Sequence, residues 1–274
     1  MLVACVGDVL LDVIVEVDGA LAPDDDIPAA VTLAAGGQAA NVATWVVALG
    51  GRARVFGPRA VDGPGRLVAE ALHGRGVEVT GPSTPGTGTV VSVVSQGTRS
   101  MASDPADVGW LAQVRPGPWL EGAAWLFVSG YALLRAADPD RVVHTAAAAR
   151  AGGSRVAVDL ASASMVSAYG ADDFAALCRS LRPSVVLATD AELATGEGWS
   201  DPDAVLVRKH GRSGATFVVD GVADRRASLG GPVLDVTGAG DALAAGYLVG
   251  GADLAMDAAR RCVARRGAQP AGVP

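Results

Sequence analysis

From residue 125 onward, short apolar runs alternate with longer alanine-rich segments, and this alternation restricts the fold more than any other feature of the chain. Residues 125–129, 156–160, 185–188, 205–208 and 216–219 read as strands, and 141–151 and 172–181 read as helices. Runs of four or five residues without polar alternation suit strands buried on both faces. Strands separated by helix-length segments pair in parallel through crossovers, so the expected class is α/β, with a mostly parallel sheet covered on both sides. The N-terminal run 2–7 has the same continuous apolar character and belongs to the same sheet.

Two stretches depart from this pattern. Residues 9–17 alternate, with Leu11, Val13, Val15 and Val17 set apart by Asp12, Glu16 and Asp18, as in a half-exposed sheet. After a polar bend at Asp24 to Asp26, residues 31–33 can return beside that strand. Residues 90–95 and 99–102 read as a hairpin with Gln96, Gly97 and Thr98 at its tip. Together, strands within about 10–34 and 88–103 are expected to form a small β-sheet lid over one end of the main sheet. With 274 residues, half of them hydrophobic, the whole span 1–274 is expected to be one domain.

Composition removes several function classes. A net charge of −7 gives no electrostatic footprint for nucleic acid or an anionic membrane, so any anionic ligand needs a local site. Cys5, Cys178 and Cys262 are widely spaced, without metal or disulfide motifs, and no apolar run is long enough to span a bilayer. A cytoplasmic location is expected.

The chemistry concentrates in glycine turns. Residues 233–236 read as a short strand, followed by Thr237-Gly238-Ala239-Gly240-Asp241 and an alanine-rich helix stopped by Gly250 and Gly251. Converging backbone N–H groups and the helix dipole make such a turn an anion site, and Asp241 in the first turn is suited to act as a base or merely as a cap. Gly36-Gly37 precede a second helix that carries Asn41, a residue able both to donate and to accept. Lys209-His210-Gly211-Arg212-Ser213-Gly214 is a basic loop between two strands, suited to nucleotide phosphates or to an ordinary turn. Glu192 is a candidate for Mg²⁺ held through water, and hairpin Arg99 for reaching a phosphate or substrate. A Walker-type P-loop is absent from the sequence, and Leu243 breaks a dinucleotide-type glycine pattern beginning at Gly238.

Taken in order, Gly7-Asp8 with Asp12, then Gly36-Gly37 to Asn41, then Asp235 to Asp241 resemble the signatures of the ribokinase-like family, also called the PfkB carbohydrate kinases. The resemblance covers almost the whole chain. It implies a three-layer αβα core with a β lid, ATP as phosphoryl donor, and Mg²⁺. Asp241 then matches the catalytic base and Gly238, Ala239 and Gly240 the anion hole. Asp12, Gly36, Gly37 and Asn41 match the acceptor site; Arg99 has no match in the resemblance and remains a hairpin arginine that either reaches a phosphate or substrate or is simply solvated. Lys209, Gly211 and Gly214 fall on the nucleotide loop, and Asp235 and Thr237 on a loop that in some members binds a monovalent cation such as K⁺.

The implied activity is phosphorylation of a hydroxymethyl group on a sugar, sugar acid or nucleoside. Independently of the resemblance, the uncovered edge of the lid sheet predicts a homodimer in which exposed lid faces pair. The chain departs from the family where Thr189-Asp190-Ala191-Glu192 replaces an Asn-x-x-Glu, with Asp190 as a compensating carboxylate. It departs again where the segment after Gly251 is short before Gly267-Ala268. These departures motivate a second expectation, a sugar- or nucleoside-binding protein on the same fold with weakened catalysis.

Overall fold

The computed structural model describes residues 1–271 apart from 22, 97 and 200. Gly97, at the expected hairpin tip, therefore lies outside the described residues. In chain order the first half comprises β1 (Leu2–Val6), β2 (Leu10–Val17), β3 (Ala29–Gly36), α1 (Gln38–Ala48), β4 (Arg52–Phe56), β5 (Arg59–Ala60), α2 (Gly63–Gly74), β6 (Val77–Thr80), β7 (Ser83–Thr84), β8 (Thr89–Ser95) and β9 (Thr98–Asp104). There follow β10 (Trp125–Ser129), α3 (Gly130–Leu134), α4 (Asp140–Ala151), β11 (Arg155–Asp159), α5 (Ala163–Tyr169), α6 (Ala171–Ser180), β12 (Val185–Thr189), α7 (Asp190–Leu193), β13 (Val205–Lys209), β14 (Ala215–Val219), β15 (Val222–Arg226) and α8 (Ala239–Val263).

Nine strands form the main sheet in the order β15-β14-β13-β12-β11-β10-β1-β4-β6. All neighbours from β13 to β6 are parallel, and β14 and β15 add an antiparallel edge. Both faces are dry. On β1, Val3 and Cys5 enter one hydrophobic layer while Leu2, Ala4 and Val6 enter the other; on β10, Trp125 and Phe127 part from Leu126 and Val128 in the same way. The first layer is closed by α1, α2 and α8, the second by α4 and α6. Burying both strand faces explains the unbroken apolar runs.

Successive strands leave β1 in opposite directions, through β4 to β6 on one side and from β10 onward on the other. The β1/β10 gap is thus a topological switch point, where the carboxyl ends of parallel strands open a crevice. A separate four-stranded sheet, β3-β2-β8-β9, stands beside it; β2 pairs antiparallel with β3 and parallel with β8.

One local expectation is corrected. Residues 233–236 form no strand: Val233, Leu234 and Val236 are exposed, and the N–H groups of Leu234 and Asp235 donate to the carbonyl of Val263 at the end of α8, so no sheet neighbour is available. The expected stop at Gly250 and Gly251 is present: both adopt non-helical angles, and a second helical stretch follows them within the span of α8. The edge strands β6 and β15 also join the main sheet without a counterpart in the sequence reading.

Candidate active site

The glycine turn reaches α8 through Gly238, whose φ of 73° is left-handed and whose Cα faces Ala268 so closely that a Cβ would stand 2.5 Å from the Ala268 methyl. Only glycine fits both demands. The segment carrying Ala268 is pinned in turn by Trp45 of α1, whose indole Nε1 donates to the Ala268 carbonyl (2.8 Å). The turn, α1 and the C-terminal segment are thereby locked together.

Asp241 follows in the first turn of α8 and meets the other glycine signature across 200 residues of sequence: Nδ2 of Asn41 donates to Oδ2 of Asp241 (2.9 Å). Oδ1 of Asn41 is buried and has no partner among the described residues. Burial drives the Asp241 carboxyl up to about 7, with the Asn41 donor opposing the rise, Asp159 adding to it and Lys209 countering it. The group thus sits between acid and base near neutral pH, as proton transfer to or from a hydroxyl requires.

Gly36 and Gly37 admit backbone where a side chain would collide. A Cβ on Gly36 would fall 2.2 Å from Oδ1 of Asp12, and one on Gly37 would fall 2.3 Å from the carbonyl of Asp8. Asp12 therefore lies flat against the Gly36 turn; burial raises its carboxyl to about 6 against the pull of Arg99 and with added repulsion from Asp235. Arg99, reaching from β9, donates to Oγ1 of Thr237 and approaches Asp235 at 3.6 Å. Both oxygens of Asp235 are already engaged, Oδ1 by the N–H (2.9 Å) and hydroxyl (2.5 Å) of Thr237 and Oδ2 by the N–H of Gly267 (2.9 Å). These bonds outweigh burial and hold the Asp235 carboxyl below its usual range.

Glu192 is 5% exposed and fixed by a capping box: the Thr189 N–H donates to its Oε2 (2.7 Å), while its own N–H donates to the Thr189 hydroxyl (3.2 Å). Thr189 thus holds the glutamate in place. Burial raises the Glu192 carboxyl, with Lys209 opposing and Asp159 reinforcing the shift. Asp190 does not join it; exposed on the other side, it binds Arg208 (2.9 Å) and His210 (2.5 Å). Among the described residues no group of three or more His, Cys, Asp or Glu forms a direct metal cage.

Of the expected nucleotide loop, Gly211 and Gly214 stay in the turn between β13 and β14, whereas the Lys209 side chain leaves it and donates to Oδ2 of Asp159 at the end of β11 (2.6 Å). Burial alone would lower the lysine, but Asp159 and Glu192 more than restore its charge. The sequence places Asp159 at a strand end on the ligand-binding edge without giving it a chemical role, and gives none to Tyr131 on α3 or to Arg135 just beyond it. Arg135 pairs with buried Asp8 (2.5 Å) and lies over the Tyr131 ring at 4.7 Å. Their position at the carboxyl end of β10, next to the switch point, was the available signal.

A family model described as pfkB family carbohydrate kinase matches residues 1–265. Among solved structures, the chain is similar to a probable sugar kinase from Rhizobium etli CFN 42, at 21% identity and a TM-score of 0.80 over 98% of this chain and 94% of that one. It is also similar to an adenosine kinase from Sinorhizobium meliloti, at 23% identity and a TM-score of 0.78 over 98% and 95%. An uncharacterised sugar kinase from Pyrococcus horikoshii, solved in complex with ATP, gives 21% and 0.80 over 98% and 95%. At these identities the likeness carries the fold alone. No curated protein matches the chain. The family model spans nearly the whole sequence, and on that ground the chain belongs to the pfkB family of carbohydrate kinases.

Proposed function

We propose that this kinase transfers the terminal phosphoryl group of ATP to a hydroxymethyl group of a sugar, sugar acid or nucleoside, with Asp241 as general base. The observation that carries the reading is the half-buried Asp241 carboxyl, held by the Nδ2 donor of Asn41 at the mouth of the Gly238 to Gly240 turn and pushed up to about 7. A carboxylate beside an anion-binding turn repels bound phosphate unless it serves the incoming hydroxyl. Asp241 takes that proton, the backbone N–H groups of the turn stabilise charge on the transferred phosphoryl oxygens, and α8 adds its dipole. The unpartnered Oδ1 of Asn41 and the carboxyl of Asp12 are suited to hold acceptor hydroxyls.

Nucleotide use is supported by the family, and Gly211 and Gly214 are our nucleotide-loop residues. The donor set fits Mg²⁺ carried mainly by phosphate oxygens, with Glu192 reaching it through water, since Mg²⁺ retains waters and uses few protein carboxylates. When bound it would neutralise phosphate charge. A K⁺ ion at Asp235 and Thr237 would have to displace the Arg99 guanidinium, and no step here depends on one. Thr189, the departure that motivated a weakened binding protein, secures Glu192, and this favours the enzyme reading.

We read the β3-β2-β8-β9 sheet as a lid on a single kinase domain. Edge strand β3 exposes Val31 (61%) and Leu33 (49%), and we propose that two lids pair there in a homodimer. Light scattering should give a dimer for the native chain and a monomer for Val31→Glu/Leu33→Lys; a native monomer would overturn the pairing. The activity is tested by ADP release across pentoses, hexoses, sugar acids and nucleosides. At least one acceptor should give turnover that Asp241→Asn abolishes. An acceptor that raises the melting temperature without any ADP release across the panel would overturn the transferase reading.

A further inference from the structure

The Lys209 side chain is misplaced for a nucleotide-loop residue. It closes β13, yet its stem runs back over the end of neighbouring β12 to reach Asp159 on β11. Asp159 is 1% exposed and the lysine side chain 12%, so the pair is nearly sealed from water. A methyl group at Gly240 would stand 3.5 Å from Cδ of the lysine and 3.6 Å from Nζ. The ammonium therefore lies against the first turn of α8, beside the N–H groups of the anion turn. Among the described residues its hydrogen-bond partner is Asp159, which uses one of three ammonium donors.

Burying a lysine and an aspartate in this way is a poor source of stability. Desolvation of the two charges offsets their attraction, and an apolar pair of equal volume is often as stable. Here the pair leaves one donor-rich cation directed at the place where phosphoryl charge develops, in a region otherwise crowded by Asp159, Glu192 and Asp241. An ammonium fixed in a water-poor site needs no reorganisation when that charge appears.

We infer that Lys209 is a catalytic residue, donating a hydrogen bond to the transferred phosphoryl group opposite the turn amides, and that Asp159 is its positioning residue. The inference deepens the phosphotransferase reading and rests on it. In the step, the acceptor oxygen gives its proton to Asp241 and bonds to the terminal phosphorus. The bond from that phosphorus to the bridging oxygen breaks, and its electron pair leaves on ADP. Lys209 keeps its proton throughout and contributes only donors, moving closer to the equatorial oxygens as they gain charge.

Lys209 is the single lysine of the chain, which makes the test direct. Lysine labelled with ¹³C at Cε, incorporated during expression, reports one residue. The probes are ADP, β,γ-methylene-ATP, and ADP with aluminium fluoride, each with Mg²⁺ and none requiring a known acceptor. The resonance should move with the two probes that occupy the terminal phosphoryl position and stay near its free value with ADP. An equal displacement by ADP would return Lys209 to the nucleotide loop and overturn the inference.

Calorimetry on Lys209→Met/Asp159→Asn, which leaves no unpaired buried charge, provides the second arm. Affinity for β,γ-methylene-ATP should fall about tenfold or more, the scale of one charge-assisted hydrogen bond, with ADP affinity within about twofold. Equal losses for both nucleotides, or none for either, would count against Lys209. If the native protein bound no nucleotide at all, the phosphotransferase reading itself would fail and take this inference with it. Retained nucleotide binding without the selective losses would remove the Lys209 role alone.

Discussion

Replacing Asp241 by Asn should stabilise the unliganded protein at alkaline pH while removing turnover. The carboxyl stands at about 7 in the folded chain against an ordinary 3.8, chiefly because burial penalises the charged form. A carboxyl raised in this way binds its proton more tightly folded than unfolded. Its proton-linked stability is complete below about 3.8 and is lost as pH rises through the window up to about 7. A gap of about three pH units, at about 1.4 kcal/mol each, makes the ionised group cost about 4 kcal/mol at pH 8 and about 2 kcal/mol at pH 5. Asparagine has the same shape, carries no charge, and can still accept from Nδ2 of Asn41. Urea denaturation of native and variant protein, without nucleotide or metal, should therefore show the variant's advantage growing by about 2–3 kcal/mol between pH 5 and pH 8. Asp8, Asp12 and Glu192 are present in both proteins, so their own titration largely cancels in the difference. An advantage that stays flat with pH, or a variant less stable at pH 8, would refute the view that burial holds this carboxyl in reserve.

Three further outcomes follow from the same geometry. With any acceptor found, kcat/KM should rise with pH through about 7 as Asp241 loses its proton, and Asn41→Ala should move that limb up by about one pH unit, since it deletes a donor favouring the charged form. A pH profile unmoved by Asn41→Ala would detach the limb from Asp241. Gly238→Ala should cost about 2–4 kcal/mol in denaturant unfolding, combining left-handed backbone with overlap on Ala268; a loss below about 0.5 kcal/mol would mean the turn relaxes freely. Thr189→Val should cost about 1 kcal/mol by removing the cap, while Thr189→Asn, which keeps a capping oxygen, should stay within about 0.5 kcal/mol of native; equal losses would dismiss the capping role.

The core of the fold is legible because strands buried on both faces leave unbroken apolar runs such as Leu2 to Val6, and few other elements write that signal. Edge strands leave less. Val222 to Arg226 is mostly exposed and half charged, so β15 has no apolar face to read, and its pairing depends on backbone bonds to β14 alone. The opposite error occurred at residues 233–236, where apolar residues suggested a strand but the backbone donors go to the end of α8. Hydrophobicity marks a wish for burial; whether a neighbouring strand exists is a property of topology.

For the site, the two glycine signatures were readable because each must satisfy local backbone demands wherever its partner lies. What lay hidden was the traffic across strands. Thr189 stands opposite Lys209 on adjacent β12 and β13, and Asp159 closes the next strand over, so that the side chain of a lysine expected on one loop reaches Asp159 two strands away follows only from the sheet order. One signal was present and misweighed: Thr189-x-x-Glu192 is a capping-box sequence, and the threonine read as a lost amide secures the glutamate.

The buried and half-buried carboxylates divide by what holds them. Asp8 and Asp159 each accept a hydrogen bond from a cation, Arg135 and Lys209 respectively, and Asp235 is saturated by Thr237 and Gly267. Asp241, Asp12 and Glu192 have no hydrogen-bonded cation among the described residues; burial raises the carboxyl in all three, as it does that of Asp8 in spite of Arg135. Leaving acids buried without such a partner is costly, and chains keep them where the unspent charge has work to do. Asp241 and Asp12 flank the acceptor signature, and Glu192 faces the Lys209 side. Under the proposed function, Asp241, Asp12 and Glu192 lie along the path of the acceptor hydroxyl and the phosphoryl group, while the paired carboxylates fix the walls around it.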